Sequence, residues 1–171
     1  MKDTKKIVLL AVLTSLATIL SLMDKAITPL AFPMLPTAKI GLANIIVLYA
    51  IYNFNFKETL TLVIIKIVIV NLLFGGLTAL IVGGSAGFLS FLVMYFAYKT
   101  LKDSVSGIGV SVLGGFVHIM TQLYVTAAIY PIGEVVMYYG AVLVFLSLVC
   151  SILIGIIANK LRTYQLLKET V

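Results

Sequence analysis

The chain has little charge. Twelve basic and six acidic residues make up 11% of its 171 positions, against about 25% in an ordinary soluble domain. No aqueous surface can be built from so few charged side chains, which excludes a soluble enzyme or a soluble binding module. Cysteine is nearly absent as well. Cys150 stands alone in the last apolar stretch, so an intramolecular disulfide and a thiolate metal cluster are both excluded. What fills the chain instead is hydrocarbon: 62% of residues are hydrophobic and the mean hydropathy is +1.20. Windows of membrane-spanning length, roughly 17–25 residues, tile almost all of it. The expectation is an all-α integral membrane protein forming a single domain over residues 1–171, with the lipid bilayer as its solvent.

The net charge of +6 is no nucleic-acid footprint, because the basic residues stand singly or in short clusters beside apolar spans, where they act as topology signals. Six transmembrane helices fit, at about 7–23, 38–52, 58–74, 85–99, 107–129 and 136–158. The opening MKDTKK resembles the start of a signal peptide. The residues after the first apolar run, Leu22-Met23-Asp24-Lys25-Ala26, lack a small-x-small cleavage pattern, and the segment reads as a retained helix. GGLTALIVGGSAG (75–87) holds five glycines and leaves three courses open: a loop, a re-entrant segment or the start of a broken helix. With the N-terminus inside, the cytoplasmic segments hold nine lysines and arginines and the outer segments only Lys25 and Lys39. That bias puts both termini in the cytoplasm. The outer connection DKAITPLAFPMLPTAK (24–39) carries three prolines among apolar residues. It reads either as a stiff lid over the helices or as a plain interfacial connector.

Three helical faces stand out. On the first span Ala11, Thr14, Ser15 and Thr18 form a stripe of small residues with Ser21 close by. Such a stripe allows close helix approach in lipid, where packing rather than hydrophobic transfer drives association. It serves either an intramolecular contact or a partner protein. On the fifth span Gly107, Ser111, Gly114, Gly115, His118 and Gln122 share one face, small at one half and polar at the other. His118 and Gln122 lie one turn apart and can reach one ligand. On the sixth, Ser147, Ser151, Gly155 and Ala158 read as packing.

LVIIKIVIV (62–70) sets a lysine among eight aliphatic residues. A charge at a helix centre costs roughly 2.5–3.5 kcal/mol on insertion scales, and Lys66 lies too far from either end of its span for comfortable snorkelling. The acids Asp3, Asp24, Asp103, Glu58, Glu134 and Glu169 all fall outside mid-membrane in this topology. Lys66 therefore pairs with polar neighbours such as Asn44, Asn71 and Gln122 or receives an anionic ligand. The second reading is preferred here, with His118, Tyr124 and the outer Lys39 added to the substrate-binding set. The pocket would suit a small amphipathic anion, an isoprenoid phosphate or an aromatic carboxylate. No catalytic residue, metal site or cofactor is expected.

KIGLANIIVLYAIY (39–52), the basic residue within LVIIKIVIV, FGGL (74–77), SAGFLSFLVM (85–94), IGVSVLGGFVHIMTQL (108–123) and the YYGAV opening the last span resemble, in the same order, the family known both as Gx transporters and as heptaprenyl diphosphate synthase component I. More distantly, six helices in under 200 residues with a small-residue first helix resemble the substrate-binding S components of energy-coupling factor (ECF) transporters. The family more often carries Arg at the position of Lys66 and Asn at that of Ile119. The first change keeps the charge without the bidentate fork of a guanidinium. The resemblance implies a membrane-embedded binding protein of the bacterial plasma membrane that captures a scarce small molecule from outside. Ala11 and Ser15 would dock on a transmembrane coupling subunit driven by two cytoplasmic ATPases. The sequence has no Walker A motif, so ATP hydrolysis would fall to those partners. The rival implication is a part in heptaprenyl diphosphate synthesis. That chemistry needs clustered aspartates to hold Mg²⁺ on a diphosphate. Asp3, Asp24 and Asp103 are scattered, which leaves a non-catalytic accessory role.

Overall fold

A computed structural model describes residues 2–31, 41–101, 105–130 and 133–169. The described residues are helical, without strands: α1 (Lys2–Ala31), α2 (Ala43–Asn53), α3 (Phe56–Ile67), a π-helical stretch Val68–Leu73, α4 (Phe74–Leu101), α5 (Gly107–Ile129) and α6 (Gly133–Glu169). Local signals set several starts. Glu58, in the first turn of α3, accepts a hydrogen bond from Asn55 N at 3.0 Å, and Ser106 Oγ accepts from Gly109 N at 3.2 Å at the start of α5. Each satisfies a backbone donor that the first turn of a helix leaves open.

The helices run alternately up and down between two ends. Lys6 pairs with Glu58 across 2.8 Å, and Lys25 Nζ donates to Val70 O at 3.0 Å. With both ends pinned, α1 and α3 are parallel. Between them α2 returns, its start held by Gly41 N donating to Asp24 Oδ2 at 2.7 Å and its end by Thr59 Oγ1 donating to Ala50 O at 3.3 Å. The chain then reverses at Gly76, whose φ of 72° and ψ of −173° belong to a region nearly restricted to glycine. The reversal lays Gly84 and Gly87 against the Ile67 side chain. Serines bolt the last three helices through backbone carbonyls. Ser90 Oγ donates to Gly114 O at 2.8 Å, Ser111 Oγ to Ser151 O at 2.7 Å and Ser147 Oγ to Gly115 O at 3.2 Å. The last two contacts place α5 and α6 antiparallel.

The near end gathers Lys6, Glu58, Gly107 and Asn159, with the rings of Tyr52 and Tyr98 4.9 Å apart. Its half of the bundle is close-packed around Leu48, Leu62, Val63, Phe91, Val110 and Ala158. Large apolar side chains such as Ile7, Leu73 and Phe145 point outward, an arrangement suited to lipid and an aggregation hazard in water. Among the described residues four stretches are long and apolar enough to cross a membrane: Thr4–Ile27, Phe56–Leu101, Gly107–Ile129 and Gly140–Leu161. The apolar α2, with 11 residues, spans about 16 Å at 1.5 Å per residue, short of a hydrocarbon core of about 30 Å.

The boundaries differ from the sequence expectation at two places that bear on the site. The first helix continues through Asp24 and Lys25 to Ala31, so the connection expected from residue 24 is helical in its first half; the rest of the lid reading, and Lys39, lie outside the described residues. The second span is helical only from Ala43. Of the three courses left open for the glycine-rich 75–87 segment, the structure takes the start of a broken helix, kinked at Gly76, and Gly84 and Gly87 serve as a packing surface for Ile67.

Candidate functional site

The far half of the bundle, beyond the apolar core, encloses a cavity of about 270 Å³. Every helix contributes to it. α3 supplies Lys66 from its last turn, partly buried, and the π-helical stretch supplies Asn71. A π-helix disturbs the regular i→i−4 ladder. Here two side chains serve carbonyls at the disturbance: Asn71 Nδ2 donates to Ile67 O at 3.0 Å, and Lys25 donates to Val70 O. α2 brings Asn44 from its first turn, and α5 brings His118 and Gln122.

Five of the residues singled out in the sequence thus face one space: Lys66, Asn44, Asn71, His118 and Gln122. Tyr124 does not join them. Its side chain is 78% exposed, because two residues beyond Gln122 is about 200° around a helix of 3.6 residues per turn. Ala11 and Ser15 lie elsewhere, on the outer face of α1. There they line a shallow groove of about 560 Å³ with Thr14, Thr18, Thr61 and Ile65.

The cavity also holds residues that the sequence reading placed outside the membrane. Asp24 and Lys25 line it together with Ser21. Asp24 is only 6% exposed, and its Oδ2 takes the Gly41 amide, a charge-assisted bond of the stronger kind. Gly41 has φ +83°, a conformation that lets its amide turn towards the carboxylate. The expectation that no acid shares the depth of Lys66 is therefore corrected: Asp24 lines the same cavity. The signal available in the sequence was the acid itself. An ionisable residue at the end of an apolar run is a site candidate when the helix continues past it, and only the length of α1 decides which case applies.

The walls are made of small residues. Ala79, Gly83 and Gly87 come from α4, Gly115 from α5, and Ser147 and Ser151 from α6. Space is left because these residues lack bulk where the helices meet. Among the described residues, no three of His, Cys, Asp and Glu come together as a metal site.

The family profile of heptaprenyl diphosphate synthase component I matches residues 13–161. No curated protein and no solved structure matches the chain. The matched range takes in all the cavity-lining helices, and the chain belongs to the heptaprenyl diphosphate synthase component I family.

Proposed function

From membership in this family, we propose that the protein is a substrate-binding membrane subunit that takes up a small anionic molecule, in the manner of an ECF-type S component. The observation that carries this reading is the polar, charged cavity set into one half of an otherwise apolar bundle. Burying ammonium and carboxylate groups at membrane depth is costly, and such groups by default mark a binding or transport site. The close-packed near half closes the cavity on that side, so access is from the far end.

In the proposed topology the bundle crosses the bacterial plasma membrane six times, with both termini cytoplasmic and the cavity towards the outside. The alternation of helix directions supports this count. A parallel α1 and α3 require the segment between them to return across the bundle, and the reversal at Gly76 makes two passes of Phe56–Leu101. The groove at Ala11 and Ser15 is the proposed docking face for a coupling subunit carrying two cytoplasmic ATPases. The chain itself acts without catalysis.

A second reading is favoured by the family's name, which is that of one component of a prenyl diphosphate synthase. In it the protein is a non-catalytic membrane accessory of that synthesis. Affinity purification from native membranes separates the two. Recovery of an ATPase module, lost in Ala11→Trp and Ser15→Trp, supports the transport subunit. Recovery of a prenyltransferase and no ATPase establishes the accessory.

A further inference from the structure

The chemistry of the cavity lining points to a narrower class of ligand than the binding reading requires. Lys25 and Lys66 face the cavity against one carboxylate, that of Asp24. Among the described residues the lining thus carries an excess of positive charge, which a bound anion neutralises. Around these groups stand hydrogen-bonding side chains, Asn44, His118 and Gln122 among them. Among the described lining residues there is no aromatic side chain, and the larger apolar ones are Ile67, Val70 and Val82.

Size adds a second constraint. Pockets for drug-sized ligands run from about 300 to 1,000 Å³ and are lined predominantly by apolar and aromatic groups. A cavity of about 270 Å³ falls below that range, and its described lining lacks the aromatic groups of that composition. An isoprenoid chain would find no room for its length here. An aromatic ring would find no ring to stack on, since Tyr124 is on the opposite face of α5 and exposed. We infer that the cavity takes a compact oxyanion, a small carboxylate or phosphate compound, and not a prenyl diphosphate. This rests on the binding-subunit reading and can fail without it.

Native mass spectrometry of the full-length protein, purified in mild detergent from cells grown in rich medium, tests the inference through the mass of whatever is held. The expected result is an adduct of about 100–250 Da, the mass of roughly 7–17 non-hydrogen atoms, present in the parent and in Lys66→Arg and absent in Lys66→Met. Size-exclusion profiles establish that each variant is folded. Farnesyl diphosphate, added at tenfold excess over protein, should neither displace that adduct nor bind in its place. A Lys66-dependent adduct with the mass of a prenyl diphosphate, or displacement by farnesyl diphosphate, would overturn the compact-anion inference and leave the binding subunit standing. No adduct in the parent, or one unchanged in Lys66→Met, would overturn the site and the binding-subunit reading with it.

Discussion

Lys25 Nζ and the Val70 carbonyl meet at 3.0 Å across 45 residues of chain, and the contact joins the far part of α1 to the π-helical stretch beside the cavity. Its counterpart at the near end is the Lys6–Glu58 pair. The two differ in weight. The near pair is solvent-exposed, and such pairs contribute little. The far contact is a charged donor on a backbone carbonyl where the π-helix interrupts the ladder, a class of bond worth about 1.5–3 kcal/mol. Lys25→Met should therefore lower the apparent melting temperature in detergent by about 3–12 °C, at roughly 2–4 °C per kcal/mol for a chain of this size. Lys6→Met should lower it by less. Equal shifts would mean that the π-helical stretch holds its shape without Lys25.

Gly76 and Gly87 lie in one helix and should respond differently to a methyl group. Gly76 has open space around it but a φ of +72°, so Gly76→Ala carries a conformational penalty of about 1–3 kcal/mol. Gly87 has ordinary backbone, and a Cβ there would stand 3.3 Å from Ile67 Cδ1, a side-chain tip able to yield. Gly87→Ala should cost well under 1 kcal/mol, offset in part by the better helix propensity of alanine. Urea titration of both variants in micelles checks the order; a reversed order would contradict a sharp reversal at Gly76.

The α5–α6 seam offers a sharper steric test. A Cβ on Gly155 would come within 2.6 Å of Ile108 Cα, and backbone cannot step aside as a side chain can. Gly155→Ala should push the helices apart and destabilise by about 1–3 kcal/mol, the range for overpacked cores. Because Ser111 and Ser147 bond to carbonyls across the same seam, the damage should reach the cavity and weaken any ligand held there. A variant as stable as the parent would show that the helices are less closely apposed.

Orientation is open to chemistry. Asn53, at the end of α2, belongs to the near end, and Tyr130, just past α5, to the far end; both are exposed. In a Cys150→Ala background, Tyr130→Cys should react with an impermeant thiol reagent on intact cells and Asn53→Cys only after permeabilisation. The opposite pattern would place the cavity mouth on the cytoplasmic side.

Much of this architecture is legible in the sequence. Scarcity of charge alone dictates helices in lipid, where backbone groups must bond within the segment. The small-and-polar face of α5 could be read from spacing, and its 107–129 bounds agree with the observed helix. The clustering of Lys66, His118 and Gln122 followed from their being costly groups with one shared place to go. What misled is charge used as punctuation. Asp24 and Lys25 end the hydropathic run without ending the helix, since their charges turn inward to an amide and a carbonyl. Glycine count alone leaves 75–87 open between a loop, a re-entrant segment and a broken helix, and packing decides: Gly84 and Gly87 lie against Ile67 of a neighbouring helix. The π-helical stretch, against which α1 and α4 pack, has no signature in the sequence.

Charge balance around the cavity makes its ionisable residues respond unequally to substitution. Among the described residues two ammonium groups and one carboxylate line it, so the two possible deletions are not equivalent. Lys66→Met leaves Lys25 with Asp24, a balanced pair, and removes an ion whose burial at membrane depth costs about 2.5–3.5 kcal/mol on insertion scales. That gain offsets the contacts Lys66 gives up, and the folded protein should stay within about 1 kcal/mol of the parent. Asp24→Asn leaves two cations without a carboxylate and weakens the bond to the Gly41 amide. Hydrogen bonds to charged groups are worth about 1.5–3 kcal/mol, and like charges add repulsion, so this variant should be destabilised by about 2–4 kcal/mol. Millimolar inorganic phosphate should restore part of its stability and do little for Lys66→Met. The double variant decides the interpretation, since a cycle isolates the coupling between the two sites. If Lys66→Met proves as damaging as Asp24→Asn and the double variant regains the loss, the two side chains are an ion pair closed on itself. The positive excess would then be unavailable to a ligand, and Lys66 would hold α3 to α1 rather than hold an anion.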